Sequence, residues 1–171
     1  MHSGICYQLF KVEIMNSKTL SIAAILLWLV SISVGVFFFV KGQTKMGSDE
    51  RVSVMLKAEE RDFVLSEMRM LLEGVQSMTA GLAAGDMKQV SAAARGIGMA
   101  SAADVNPALM LKLPLAFKQQ GMAVHKQFDQ IADKVDQGAP ANEILLDLSE
   151  QLGSCVACHS IYRLDAEAGV N

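Results

Sequence analysis

From Thr19 to Val40 the chain carries no charged side chain and reads TLSIAAILLWLVSISVGVFFFV. A run of that length and apolarity can cross a bilayer, and only as a helix, because lipid offers no partner to exposed backbone N–H and C=O groups. A secretory leader is the competing reading, but its apolar core would be shorter and would close on small residues. This run closes on Phe37-Phe38-Phe39-Val40-Lys41, a poor cleavage site. An uncleaved anchor is therefore expected, dividing the 171-residue chain into a lead-in at 1–18, the anchor at 19–40, a tether at 41–53 and a body at 54–171. Residues 1–14 read as ragged, Met15 as an ordinary start for an anchor, and Cys6 as having no role. Lys11 and Lys18 on one side match Lys41 and Lys45 on the other, so flanking charge leaves the orientation open.

The apolar residues of the body are mostly Ala, Leu, Val and Met, with few aromatics, little Pro and no run of alternating β-branched residues. That usage predicts an all-α fold. After a polar tether at 42–48, Val64, Met68, Leu71, Val75, Met78 and Leu82 recur at helical spacing, widened by Leu65 and Leu72. A first helix is expected from about Val54 to Ala84, stopping at Gly85. Met70, about 200° round that helix from Met68 and among Ser66, Glu73 and Ser77, is expected to point away from the interior.

Asp86 suits the N-cap of a second helix carrying Met87, Val90, Ala94 and Ile97. Ser101 to Pro107 reads as a long connection, interrupted again by Pro114. A third helix from Leu115 presents Phe117, Gly121, Val124, Phe128, Ile131 and Val135, and Gly138 ends it. Pro140 fits the first turn of a fourth, whose Ile144, Leu145, Leu148 and Leu152 lead into Cys155. The expected architecture is an N-terminal transmembrane helix followed by an antiparallel four-helix bundle. From Gly47 onward eleven Lys and Arg face seventeen Asp and Glu, an acidic balance that argues against nucleic acid as a partner.

Cys155-Val156-Ala157-Cys158-His159 is the Cys-x-x-Cys-His signature of covalent c-type haem attachment. On a helix its three reactive side chains sit at i, i+3 and i+4, so two sulfurs and an imidazole face the same flat ligand. The thiols can form thioethers with the haem vinyl groups, and His159 can bind the iron axially, giving one haem c. Three other chemistries compete. A thioredoxin-like pair would follow a strand and open a helix, a structural zinc site would need a fourth ligand, for which His125 is the only histidine left in the body, and a disulfide would leave His159 unexplained. Haem attachment belongs to the outward face of an energy-transducing membrane, so the body is expected in a bacterial periplasm, held to the inner membrane by a single pass.

The longer run Cys155-Val156-Ala157-Cys158-His159-Ser160-Ile161-Tyr162-Arg163 resembles the Cys-x-x-Cys-His-x-x-Tyr-Arg ending of the cytochrome c prime family, over roughly Ala58 to Leu164. The resemblance implies a four-helix bundle with haem on the last helix and a distal residue supplied by the first. It also implies Tyr162 beside the proximal imidazole, Arg163 near the haem edge, and a homodimer. The family's aromatic loop and its Tyr-Arg-Gln near the first helix are absent here, and a membrane anchor is an addition to it.

The second axial position separates an electron carrier from a gas binder, because Met or His ligation closes the iron and an aliphatic neighbour leaves it open. Met68, mid-stripe on the first helix, is the candidate distal ligand, and His125, beside Val124 on the third, is the rival or a haem neighbour. Met78, Met122 and an open site complete the alternatives, while Gly121 and Gly153 would let backbone approach the macrocycle. The expected function is a membrane-anchored monohaem cytochrome, not an enzyme, passing single electrons among periplasmic or membrane redox proteins. The alternative is a haem protein binding nitric oxide or carbon monoxide at an open distal site.

Overall fold

The computed structural model describes residues 17–102 and 105–167. The lead-in at 1–14, with Cys6 and Met15, lies outside them. The chain divides into two compact units between Phe37 and Phe38. In the first, α1 (Ser17–Lys41) is one uninterrupted helix, about 37 Å long at 1.5 Å per residue. It is long and apolar enough to cross a membrane. Two of its serines do not leave hydroxyls bare: Ser31 and Ser33 donate to the carbonyls of Leu27 and Leu29, each at 2.9 Å, the usual solution for a hydroxyl inside an apolar helix.

The second unit is mostly helical, with a small sheet that the sequence reading did not foresee. Helices α2 (Ala58–Ala84), α3 (Met87–Gly96), α5 (Leu115–Asp136) and α6 (Ala141–Ile161) are joined by short α4 (Pro107–Lys112) and flanked by strands β1 (Thr44–Met46), β2 (Val52–Leu56) and β3 (Tyr162–Ala166). The expected tether is thus partly strand, and the first helix starts at Ala58 instead of Val54. Val52 and Val54 supply the β-branched character, and β2 is drawn into extended form by partners on both sides, β1 antiparallel and β3 parallel. Its register pairs Val52 with Tyr162 and Leu56 with Ala166.

The helix ends follow local chemistry. Gly85 takes a left-handed φ of 72° at the end of α2, the conformation a glycine cap supplies. Asp86 caps α3 by accepting from the Gln89 N–H, and Asn106 caps α4 by accepting from Ala108 N–H. Pro140 stands immediately before α6.

One core joins Met78 of α2, Val90, Ala94 and Ile97 of the α3 segment, Phe128, Ile131 and Val135 of α5, and Ile144 and Leu148 of α6. A second, smaller one joins Val54 and Leu56 of β2 to Leu109 and Leu113, with Phe117, Tyr162 and Leu164 packed against it. The apolar stripe read on the first helix proves to be two stripes. Gly74, Met78 and Gly81 are buried, and Gly74 and Gly81 come within van der Waals contact of Ile97 and Val90. Met70, one turn before Gly74, packs on this core instead of pointing away, because α3 lies against the flank that a single-stripe reading assigns to solvent.

A Cβ on Gly81 would stand 2.9 Å from Val90 Cγ2 and 3.0 Å from the Asp86 carbonyl, whereas one on Gly153 of α6 would meet nothing within 4 Å. Gly81→Val should therefore destabilise the protein by about 1–3 kcal/mol through overpacking. Gly153→Ala should stabilise it by about 0.5–1 kcal/mol through helix propensity alone. Urea unfolding of the detergent-solubilised chain, followed by circular dichroism, checks both signs.

Candidate functional site

The last two turns of α6 carry Cys155, Cys158 and His159. Earlier on the helix Ile144, Leu148 and Gln151 are buried, and continuing their face by i+4 and i+3 steps brings both cysteines half inward. The two thiols are half-buried and unpaired, and His159 is exposed. Burial pushes both thiols above their ordinary range, Cys158 with a further contribution from Cys155 beside it. A dithiol built for exchange has the opposite setting, a helix N-terminus that lowers the nucleophile. This pair sits at the C-terminal, electronegative end of its helix.

These side chains face a seam between α2 and α6 that the protein leaves open. α6 packs on α5, α5 on α3 and α3 on α2, while α2 and α6 barely touch. Three adjoining cavities fill the gap. One of about 370 Å³ is lined by Leu65, Met68, Leu72, Leu152, Cys155 and His159. A second, of about 150 Å³, adds Glu67, Gly121, His125 and Cys158. A third, of about 190 Å³, runs from Met68 and Phe117 past Cys158 and His159 to Arg51 and Arg163. Together they reach the range of about 300–1,000 Å³ usual for small-molecule and cofactor sites. The walls are apolar and unsealed: Leu72 is 66% and Leu152 41% exposed. A Cβ at Gly121 would meet nothing within 4 Å, so the glycine leaves free space in the wall.

Most of the residues singled out in the sequence meet here. Met68 and His159 line all three cavities. Met78 does not, being fully buried in the core, and Met122 lines a neighbouring chamber near α4. His125 is 8% exposed, and its Nδ1 lies 2.9 Å from the Ile97 carbonyl oxygen. A carbonyl only accepts, so Nδ1 carries a hydrogen and donates it there. Tyr162 and Arg163 also line a cavity with His159, but from β3, since the chain leaves helical conformation at Tyr162. The Tyr162 ring meets Phe117 edge to face at 5.3 Å. The Arg163 guanidinium pairs with Asp165 at 2.9 Å and Asp49 at 3.4 Å.

Arg51 is the participant that sequence reading missed. Its Nη1 donates to the His159 carbonyl at 3.1 Å across a separation of 108 residues, and no local pattern announces so distant a contact. Among the described residues no group of three or more His, Cys, Asp or Glu side chains is arranged to hold a bare metal ion, so the ligand set of a structural zinc is not assembled. No protein-family model, curated protein or solved structure matches the chain.

An open apolar seam should bind an apolar fluorescent dye such as anilinonaphthalene sulfonate. Gly121→Phe should lower that fluorescence about threefold or more by filling the wall, with the helical circular dichroism unchanged. Equal dye binding by the variant would place the accessible apolar surface elsewhere.

Proposed function

We infer that the chain is a membrane-anchored, single-haem c-type cytochrome that carries electrons. The observation that carries the reading is the position of Cys155, Cys158 and His159 on one helix end, opening on an apolar seam whose far wall presents Met68. Helices α2, α3, α5 and α6 are read as an antiparallel bundle with one seam held open. The residues fit a flat, largely apolar prosthetic group. The thiols lie side by side and half-buried, Gly121 leaves space, and Leu65, Leu71, Leu72 and Leu152 present hydrocarbon to either face. Bound there, haem c would supply a one-electron iron couple.

Cys155 and Cys158 would hold the group covalently, and His159 would bind the iron. Met68, across the seam, would be the second residue to bind the iron, and α2 holds it there through the packing of Gly74, Met78 and Gly81 on the core. His125 is read as a neighbour, since it lines one of the three cavities where Met68 lines all three. The leucines would line the group with hydrocarbon on its protein side, and wall polarity, the iron-binding residues and nearby charge together set a haem potential. Partners are then redox proteins of the periplasm or membrane, with the body on the outward side and α1 as the anchor.

Expressed with a haem-attachment system, the full chain should keep haem through acid-acetone extraction, and Cys155→Ser with Cys158→Ser should lose it. The wild type should be low-spin and inert to carbon monoxide, and Met68→Ala high-spin and reactive. A high-spin wild type that binds carbon monoxide would replace electron transfer by gas binding, and a chain without retained haem would overturn the assignment altogether.

A further inference from the structure

The turn between β1 and β2 is tightly built. Gly47 N–H donates to the Arg51 carbonyl at 2.8 Å, and Glu50 holds a left-handed φ of 65°, unfavourable for any residue with a Cβ. A Cβ on Gly47 would stand 2.9 Å from Arg163 Cδ, the Arg51 carbonyl and Asp49 Oδ1. The turn therefore lies closed against Arg163. Its geometry aims one side chain: Arg51 is gripped by Asp49 through Nε at 2.8 Å and Nη2 at 2.6 Å, and Arg163 holds the same carboxylate from the other side.

The gripped guanidinium reaches the end of α6. The last carbonyls of a helix have no intrahelical donor and carry partial negative charge. Tyr162 N–H serves Cys158, and Arg51 Nη1 serves His159. The same residue lines the cavity shared by Met68, Cys158 and His159. Arg51 is thus bonded to the backbone of the one residue read as the proximal ligand, from a segment outside the helical body.

We propose that Arg51, oriented by Asp49, is a positioning residue for His159: it fixes the final turn of α6 and sets a permanent positive charge beside the site. The proposal rests on the haem reading above. Reduction removes one positive charge from a haem iron, so a fixed cation nearby favours the reduced form.

The test uses the full chain in detergent as wild type, Arg51→Gln and Arg51→Lys, with redox titration followed by haem absorbance. Hydrogen exchange over residues 155–166 is measured in parallel on haem-free protein. At the potential that half-reduces the wild type, the ratio of reduced to oxidised haem should fall about three- to tenfold in Arg51→Gln, and Arg51→Lys should recover part of it. Exchange at 158–162 should quicken in the Gln variant. A haem-bearing Gln variant with the wild-type ratio overturns the proposal alone, even if exchange quickens, because a merely structural contact would give that result. A wild type without covalent haem overturns both the proposal and the reading beneath it.

Discussion

The parallel pairing of β2 with β3 is the constraint on which the second unit depends. Parallel neighbours need a crossover between them, and here the crossover is the whole helical body, from α2 through α6. The two strands close it at its base. Ser53, fully buried, donates its hydroxyl to Asp165 across the pair, and Val54 and Leu56 pack with Leu109, Leu113 and Leu164. The same register sets Tyr162 and Arg163 beside the end of α6 and brings Arg51 to the His159 carbonyl.

With its base fixed, the body can keep one seam open against the hydrophobic tendency to shut it. α3 and α5 contribute the central core, so α2 and α6 each have a secure partner and need not meet each other. α2 spends one flank on α3, through Gly74, Met78 and Gly81, and offers the other, with Leu65, Met68 and Leu72, to the cavities. Collapse would have to pull α2 off Ile97 and Val90, which nestle against its glycines. The exposed hydrocarbon of Leu72 and Leu152 is thus held in place by packing elsewhere.

Where the signal was local, it was legible in the sequence. The long apolar helix α1 follows from composition and length, and Gly85, Asp86, Gly138 and the start of α5 at Leu115 from cap and breaker chemistry and helical periodicity. So does the projection of Cys155, Cys158 and His159 from one helix. What escaped was non-local. The five-residue β2 resembles the approach to a helix until β3, more than a hundred positions later, pairs with it. Met70 could be placed only by knowing that α3 folds onto its flank, and Arg51 only by knowing the sheet.

That sheet also imposes a sequence of events in time. Residues 52 and 162, which pair in the sheet, lie more than a hundred positions apart, and contacts so far apart along a chain form slowly. Without that pairing the final turn of α6 lacks the support of β3 and of Arg51. Afterwards the strand and the guanidinium pin it. The interval before closure is when the thiols of Cys155 and Cys158 are least enclosed, and the fold ends that interval by its own completion.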